Sequence, residues 1–213
     1  TPSRRERTKR AGLKTPPKIT PSFIWDGIMH PKWTIGTLKN GLPKLRTVSQ
    51  YADKNTMRSA GDFVGKELGG NLSWEYCKEL REEWDGPIIL KGILHPKDAE
   101  EAIKIGMDGI VVSNHGGRQF DGALTSIEAL PEIAKVAKGK TAILFDSGVR
   151  TGLDIIRAMH LGADFVLLGR PFIYGVAALG EFGGAHTTEV LMADLKNNMI
   201  QLGINSLDKL YQY

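Results

Sequence analysis

Four short apolar runs recur in the second half of the chain: Pro87-Ile88-Ile89-Leu90, Gly109-Ile110-Val111-Val112, Thr141 to Phe145, and Phe165-Val166-Leu167-Leu168. Between them the apolar positions return at helical spacing. This predicts helices over Pro96 to Ile105, closed by Gly106, over Ser126 to Ala137, and over Gly152 to Leu161, closed by Gly162. An earlier helix is predicted from Trp74, with Leu80 and Trp84 in phase, Ser73 as its N-cap and Asp85-Gly86-Pro87 as its stop. Two further helical segments are predicted at about 171–179 and 187–202. The order is βαβαβαβ, and the strands are continuously apolar rather than alternating. Strands of that kind are buried on both faces, as in a parallel sheet with helices outside.

The first 72 residues show no such pattern. Residues 1–20 are basic and interrupted by Pro16-Pro17, with Pro21 just beyond, which reads as loop or extended chain. Residues 21–50 mix apolar residues with cations: Phe23, Ile24, Trp25, Ile28, Met29, Trp33, Ile35, Leu38 and Leu42 stand among Lys32, Lys39, Lys44 and Arg46. Ile24/Ile28 and Trp25/Met29 have short helical spacing, and residues 55–68 suggest a helical turn or two before Gly69-Gly70. Charge divides the same way. Residues 1–50 carry 11 Lys and Arg against 2 Asp and Glu, and the remainder 17 against 22, within a net +4. A basic region on a mildly acidic globule suits an anionic lipid, a nucleic acid or a buried phosphate. The cations are scattered and form no nucleic-acid motif, so nucleic acid is not expected as a partner. Residues 21–50 read either as a membrane-facing segment, with apolar side chains at the interface and lysines on headgroups, or as a long loop packed on its own globule.

The groups at the strand exits carry the chemistry. The runs end in Lys91-Gly92, Ser113-Asn114-His115-Gly116-Gly117-Arg118, Asp146-Ser147-Gly148-Val149-Arg150 and Gly169-Arg170. Polar groups at the C-terminal ends of successive parallel strands mark the mouth of a (β/α)8 barrel. A doubly wound open sheet would place them similarly, and four such ends in succession favour the barrel. A complete barrel has eight units in about 250 residues. This chain of 213 residues shows four, so it is expected to be the C-terminal half of a (β/α)8 TIM barrel that needs an N-terminal half, as a second chain or another segment, to close. The first residue, Thr1, agrees with a processed or partial chain.

Each strand-end group suits a particular task. Two Gly-Arg pairs on consecutive ends (Gly148 with Arg150, Gly169 with Arg170) suit a phosphate, because backbone N–H groups approach closely and the guanidinium adds charge. His115 can accept a proton near neutral pH, and Arg118 can hold a carboxylate with two parallel hydrogen bonds. Lys91, directly after a buried strand, is costly unless it meets an anion; it could form a Schiff base, stabilise negative charge on a cofactor or make a simple ion pair. His30, His95, His160 and His186 stand outside these clusters and read as structural.

Composition excludes several classes. Hydrophobic and charged fractions of 41% and 24% are those of a folded chain. No run approaches the roughly 18 apolar residues of a membrane span, and no signal-peptide pattern opens the sequence. Cys77 is the only cysteine, which rules out an intrachain disulfide and a thiolate zinc site. No metal site is expected, and the expected location is cytoplasmic, with peripheral attachment to the cytoplasmic membrane face.

The stretch PIILKGIL…GIVVSNHGGRQFDG…ILFDSGVRTGLDIIRAMHLGADFVLLGRPFIYG resembles the FMN-dependent 2-hydroxy-acid dehydrogenase and oxidase family from about Ser73 to the C-terminus. Residues 3–7 resemble the segment after the fourth barrel strand, and DSGVR with the HPKW segment resembles the membrane-associated L-lactate and mandelate dehydrogenase branch. The resemblance implies a basic region over 1–72 that comes after strand four, and barrel units five to eight with C-terminal helices over 73–213. It implies His115 as the active-site base, Arg118 and Arg5 on the substrate carboxylate, and Lys91 and Ser113 beside the flavin. Asp146, Ser147, Gly148, Arg150, Gly169 and Arg170 would surround the FMN phosphate, with Ser147 standing where many relatives have glycine. The implied reaction is oxidation of an L-2-hydroxy acid, L-lactate first, to the 2-oxo acid, with electrons passing to quinone or oxygen. Tetrameric assembly is implied as well. The family's aspartate that pairs with the histidine, and its substrate tyrosines, lie before residue 3, so the chain by itself is expected to be inactive. Two other readings stay open: a different FMN or phosphate-binding barrel enzyme such as an isomerase, and a non-catalytic half-barrel that completes another chain's site.

Overall fold

The computed structural model describes residue 10 and residues 19–41, 46–51, 63, 72–120 and 122–212. The chain divides into two compact units, Thr1–Ser73 and Trp74–Tyr213.

Among the described residues of the first unit, the segment read as membrane-facing or as long loop, with short helical spacing in its first part, forms the helices α1 (Pro21–Met29), α2 (Pro31–Asn40) and the single turn α3 (Arg46–Ser49). The signals that start them are local. Proline occupies the first turn of α1 and of α2, where its missing N–H costs nothing, and Thr20 Oγ1 caps α1 by accepting from Phe23 N at 3.2 Å. Thr34 Oγ1 donates to Gly27 O at 2.6 Å, and Phe23 meets Trp33 edge to face with centroids 6.1 Å apart, which ties α1 to α2. Ile24, Trp25, Ile28, Met29, Trp33, Ile35 and Leu38 are nevertheless all exposed. The helical turns expected over 55–68 lie outside the described residues apart from Phe63.

The second unit is a four-stranded parallel sheet in the order β1 (Ile89–Ile93), β2 (Gly109–Val112), β3 (Ala142–Phe145), β4 (Phe165–Val166). Its helices are α4 (Trp74–Glu83), α5 (Pro96–Ile105), α6 (Ser126–Ala137), α7 (Gly152–His160), α8 (Arg170–Leu179) and α9 (Gly183–Gln201). This is the α/β half-barrel the pattern predicts. Trp84 lies just past α4, α9 starts four residues earlier than expected, and β4 pairs through two residues rather than four because only Leu144 and Phe145 of β3 face it.

One face of the sheet is packed. Ile110, Val112, Ile143 and Phe145 join Ala99, Ala102, Leu130, Ile133 and Ala137 of α5 and α6 in a continuous core. The opposite face, displaced by one residue along each strand, carries Ile89, Lys91, Leu144 and Phe165, and Ile89 and Phe165 on the outer strands are 50% and 60% exposed. The expectation of strands buried on both faces therefore holds for β2 alone.

The N-terminal ends of the strands are locked by a repeated device. Asp108 N donates to Ile88 O at 2.9 Å while its Oδ2 accepts from Ile88 N at 2.8 Å; Asp164 does the same to Ile143, at 2.7 and 2.8 Å. A cation from an earlier helix end then closes on each carboxylate and on a nearby glycine carbonyl: Arg81 on Asp108 and Gly106, Lys138 on Asp164 and Gly162. Donation from Ile88 N–H, and then from Arg81, holds the Asp108 carboxyl below the usual carboxylate range against the upward push of desolvation.

Candidate active site

The alternation that packs one face sends Lys91, Ser113 and Asp146 to the other, at the C-terminal ends of three adjacent strands. There they form one network. Lys91 Nζ donates to Ser113 Oγ at 2.6 Å and makes a close ion pair with Asp146. Burial pushes the Asp146 carboxyl up, but donation from Lys91, Ser113 and Ser147 together with the Lys91 charge outweighs it, leaving the group below its ordinary value. Lys91 thus meets an anion, although it stands within β1 on a part-exposed face and not, as expected, directly after a buried strand.

The loop after β2 is held through its backbone. Four consecutive N–H groups, of Asn114, His115, Gly116 and Gly117, donate in turn to Ser126 Oγ, Ser113 Oγ, Ser147 Oγ and Asn114 Oδ1, at 2.9, 3.1, 3.0 and 3.2 Å. The chain there runs left-handed, with φ of +55° at His115, +67° at Gly116 and +70° at Gly117. The result is an exposed imidazole lying against the backbone at Gly92, where β1 bulges. A Cβ built on Gly92 would fall 2.8 Å from His115 Cε1, so glycine is what lets the ring lie there. Arg118, also exposed, comes directly after the turn.

Beside this loop lies a pocket of about 560 Å³ lined by Gly116, Ser126, Ser147, Gly148, Arg150 and Arg170, among others. Gly148 has φ +92°, and no atom lies within 4 Å of where a Cβ would stand on Gly148 or Gly169. Gly169 caps α8, whose first turn holds no acidic side chain, whereas the start of α7 is occupied by Asp154 and Asp194. Arg170 Nη2 also lies 3.4 Å from Gly116 O. Chemically this end could receive an anion: it offers three guanidiniums, of Arg150, Arg157 and Arg170, an open glycine and a helix start with no side-chain cap. No group of three or more His, Cys, Asp or Glu suited to a metal occurs among the described residues.

The structure therefore brings together Lys91, Ser113, His115, Asp146 and Ser147, and lines one pocket with Ser147, Gly148, Arg150 and Arg170. Arg5 lies outside the described residues. The other described histidines with ring contacts are structural: His95 caps α5 by accepting from Lys97 N at 3.2 Å, His30 Nδ1 is 2.8 Å from Asp26 O, and His160 Nδ1 is 3.0 Å from Leu210 O. Sequence reasoning missed Ser126 and Gly92 as supports of the loop, and Arg157, which also lines the pocket. Gly92 carried a signal, a glycine directly after the strand-end lysine; the Ser126 contact joins residues 12 apart and carried none.

The sequence matches the FMN-dependent dehydrogenase family over residues 1–213. A monotopic membrane protein, (S)-mandelate dehydrogenase, superposes with a TM-score of 0.89 at 34% identity, over 96% of this chain and 54% of that one. A mandelate oxidase variant with (S)-mandelic acid is 41% identical over 66% of this chain and 42% of that one, with a TM-score of 0.64. A mandelate oxidase variant with an FMN monooxide adduct is 41% identical over 66% and 45%, with a TM-score of 0.63. The chain thus spans about half the length of the solved structures it matches. A parallel half-barrel with a lysine–aspartate pair, a histidine turn and an arginine-lined pocket at its strand ends, matched along its whole length, belongs to the FMN-dependent dehydrogenases.

Proposed function

We propose that this chain provides the catalytic strand ends of an enzyme that oxidises an L-2-hydroxy acid to the 2-oxo acid, with an N-terminal half-barrel completing the site. The residues present fit the family's cofactor. The pocket lined by Gly148, Arg150 and Arg170, with Gly169 as the N-cap residue of the adjoining helix α8, suits the FMN phosphate, and Lys91 and Ser113 stand on the open sheet face where a ring system would lie. When bound, FMN supplies the two-electron acceptor and passes the electrons on to a quinone or to oxygen.

The chain's own residues do the rest. Arg118, with Arg5, holds the substrate carboxylate by charge-assisted hydrogen bonds. A ring nitrogen of His115 takes the substrate proton. Lys91 Nζ, kept in place by Asp146 and Ser113, offers positive charge where negative charge develops. The observation that carries this reading is the convergence of Lys91, Asp146 and the His115 turn at one end of the sheet.

The exposed edges at Ile89 and Phe165 are where the N-terminal half would pair. The exposed apolar side chains of α1 and α2, with Lys32 and Lys39 among them, would rest on a membrane surface and favour quinone as acceptor. No helix among the described residues is long and apolar enough to cross a membrane.

The test is anaerobic mixing of the purified native protein with L-lactate and, separately, (S)-mandelate, with the flavin band near ~450 nm as the readout. Bleaching by either acid supports the reading and ranks the substrates. A flavin band that no 2-hydroxy acid bleaches overturns it in favour of another flavin barrel enzyme, and a colourless chain in favour of a half-barrel that serves another chain's site.

A further inference from the structure

Ser147 occupies a backbone position that suits glycine better. Its φ is +77°, and apart from His115 it is the only non-glycine residue with positive φ among those described. A side chain in that region is strained, and such strain persists where other contacts require the residue. The Ser147 hydroxyl has two such contacts and uses both of its capacities. It donates to Asp146 Oδ1 at 2.7 Å and accepts from Gly116 N at 3.0 Å, across 31 residues of sequence. The carboxylate it leans on is itself anchored by Lys91.

Gly116 is the residue after His115, in the middle of the left-handed turn that lays the imidazole against Gly92. Of the four side-chain oxygens that hold this loop, those of Ser113 and Asn114 belong to the loop itself, and that of Ser126 holds its first residue. Ser147 Oγ alone of these reaches it from the neighbouring strand end, which also lines the arginine-lined pocket.

We propose that Ser147 is a positioning residue for His115: its hydroxyl, braced by Asp146, holds the Gly116 N–H and so fixes the turn that aims the imidazole. This rests on His115 acting as the base. It assigns the serine side chain a task apart from the phosphate contact, which its backbone can make without it.

The experiment compares Ser147→Gly and Ser147→Ala with the wild type in the native FMN-loaded protein. Five quantities are read: amide hydrogen exchange at Gly116, the pH titration of the His115 ring by NMR, FMN affinity, the flavin reduction rate at saturating hydroxy acid, and KM. Both variants are expected to exchange at Gly116 about tenfold faster, the loss of one hydrogen bond. Both are expected to shift the imidazole titration and to reduce flavin about tenfold more slowly at unchanged KM. FMN affinity stays at the wild-type value, and Ser147→Gly unfolds no earlier than wild type, because glycine suits the backbone.

A residue that merely fills a turn predicts the reverse, a glycine variant equal to wild type in every reading. Unchanged exchange in both variants overturns the proposal. So does loosening confined to Ser147→Gly, which would assign the effect to backbone freedom. Faster exchange with an unmoved imidazole titration overturns it too, as does loss of FMN from both variants. Should no hydroxy acid bleach the wild-type flavin, the oxidation reading falls by itself, and the exchange and titration still decide whether the hydroxyl sets the ring.

Discussion

On the helix-covered face of the sheet, Ile110, Val112 and Ile143 of the inner strands are fully buried and Phe145 nearly so; on the opposite face the outer strands β1 and β4 leave Ile89 and Phe165 half exposed, and Lys91 reaches Asp146. Both faces arise from one alternation, so the difference lies in what covers them. Helices α5 and α6 supply the first face with alanines small enough for close approach and with Leu130 and Ile133 to fill the layer. The second face is built from groups that need partners of another kind: a cation, a hydroxyl and a carboxylate that satisfy one another at the strand ends, and apolar side chains at the outer strands. The packed face makes the strands rigid, and the open face uses that rigidity to hold charges in place.

The sharpest way to break this comparison is a change that touches chemistry alone. His115→Gln is expected to slow flavin reduction by about a hundred- to ten-thousandfold while FMN stays bound and the thermal midpoint holds, since the imidazole is exposed and fills no core space. Stopped-flow absorbance and a melting curve on the same sample check it. Normal reduction would remove the base assignment. The counterpart on the covered face is Phe145→Ala, expected to cost about 3–5 kcal/mol in urea unfolding, because the side chain is 2% exposed and its removal leaves a cavity. A cost below that range would show that α6 can collapse onto the sheet.

A third variant separates the two ends of the strands. Asp164→Ala leaves Ile143 N–H without its acceptor and Lys138 without its carboxylate, and is expected to cost about 1–3 kcal/mol of stability. FMN affinity should not change, because Asp164 lies at the N-terminal strand ends, away from the pocket. An altered affinity, read by fluorescence titration, would mean that strand register is transmitted to the strand-end network.

Much of the fold is legible in the sequence where local signals are strong. Helix α5 begins at Pro96 and ends at Ile105 as predicted, because proline starts it and Gly106, in the left-handed conformation, stops it. The four strand-end groups are legible as positions, since a strand's exit is visible in the residues themselves. Helix α1 is legible in part, through the Ile24/Ile28 and Trp25/Met29 spacing, whereas α2 is hard to read although Pro31 marks its start, because lysines and threonines interrupt its apolar period. Pairing across the chain is not legible at all. Nothing near Ser147 points to Gly116, 31 residues earlier, and nothing near Asp108 points to Ile88 or Arg81. Such contacts exist only once parallel strands set the distances.

The smallest expected effect is the pH dependence of the open-face network. The folded Asp146 carboxyl sits below its ordinary value of about 3.9. At the pH where an unfolded aspartate would take up a proton, the folded one stays charged, so the unfolded chain binds more protons. The stabilisation is therefore complete above that unfolded value and is lost as pH falls through the folded one. Wild-type stability is expected to decline more steeply below about pH 4 than that of Asp146→Asn, with the two curves parallel above it. The difference will be modest, because Lys91 is partly in water and solvent screens the pair. Urea midpoints between pH 3 and 6 measure it. Equal slopes would mean that Lys91 and Asp146 are not in contact in solution, and the open face would then lack the fixed charge that distinguishes it from the covered one.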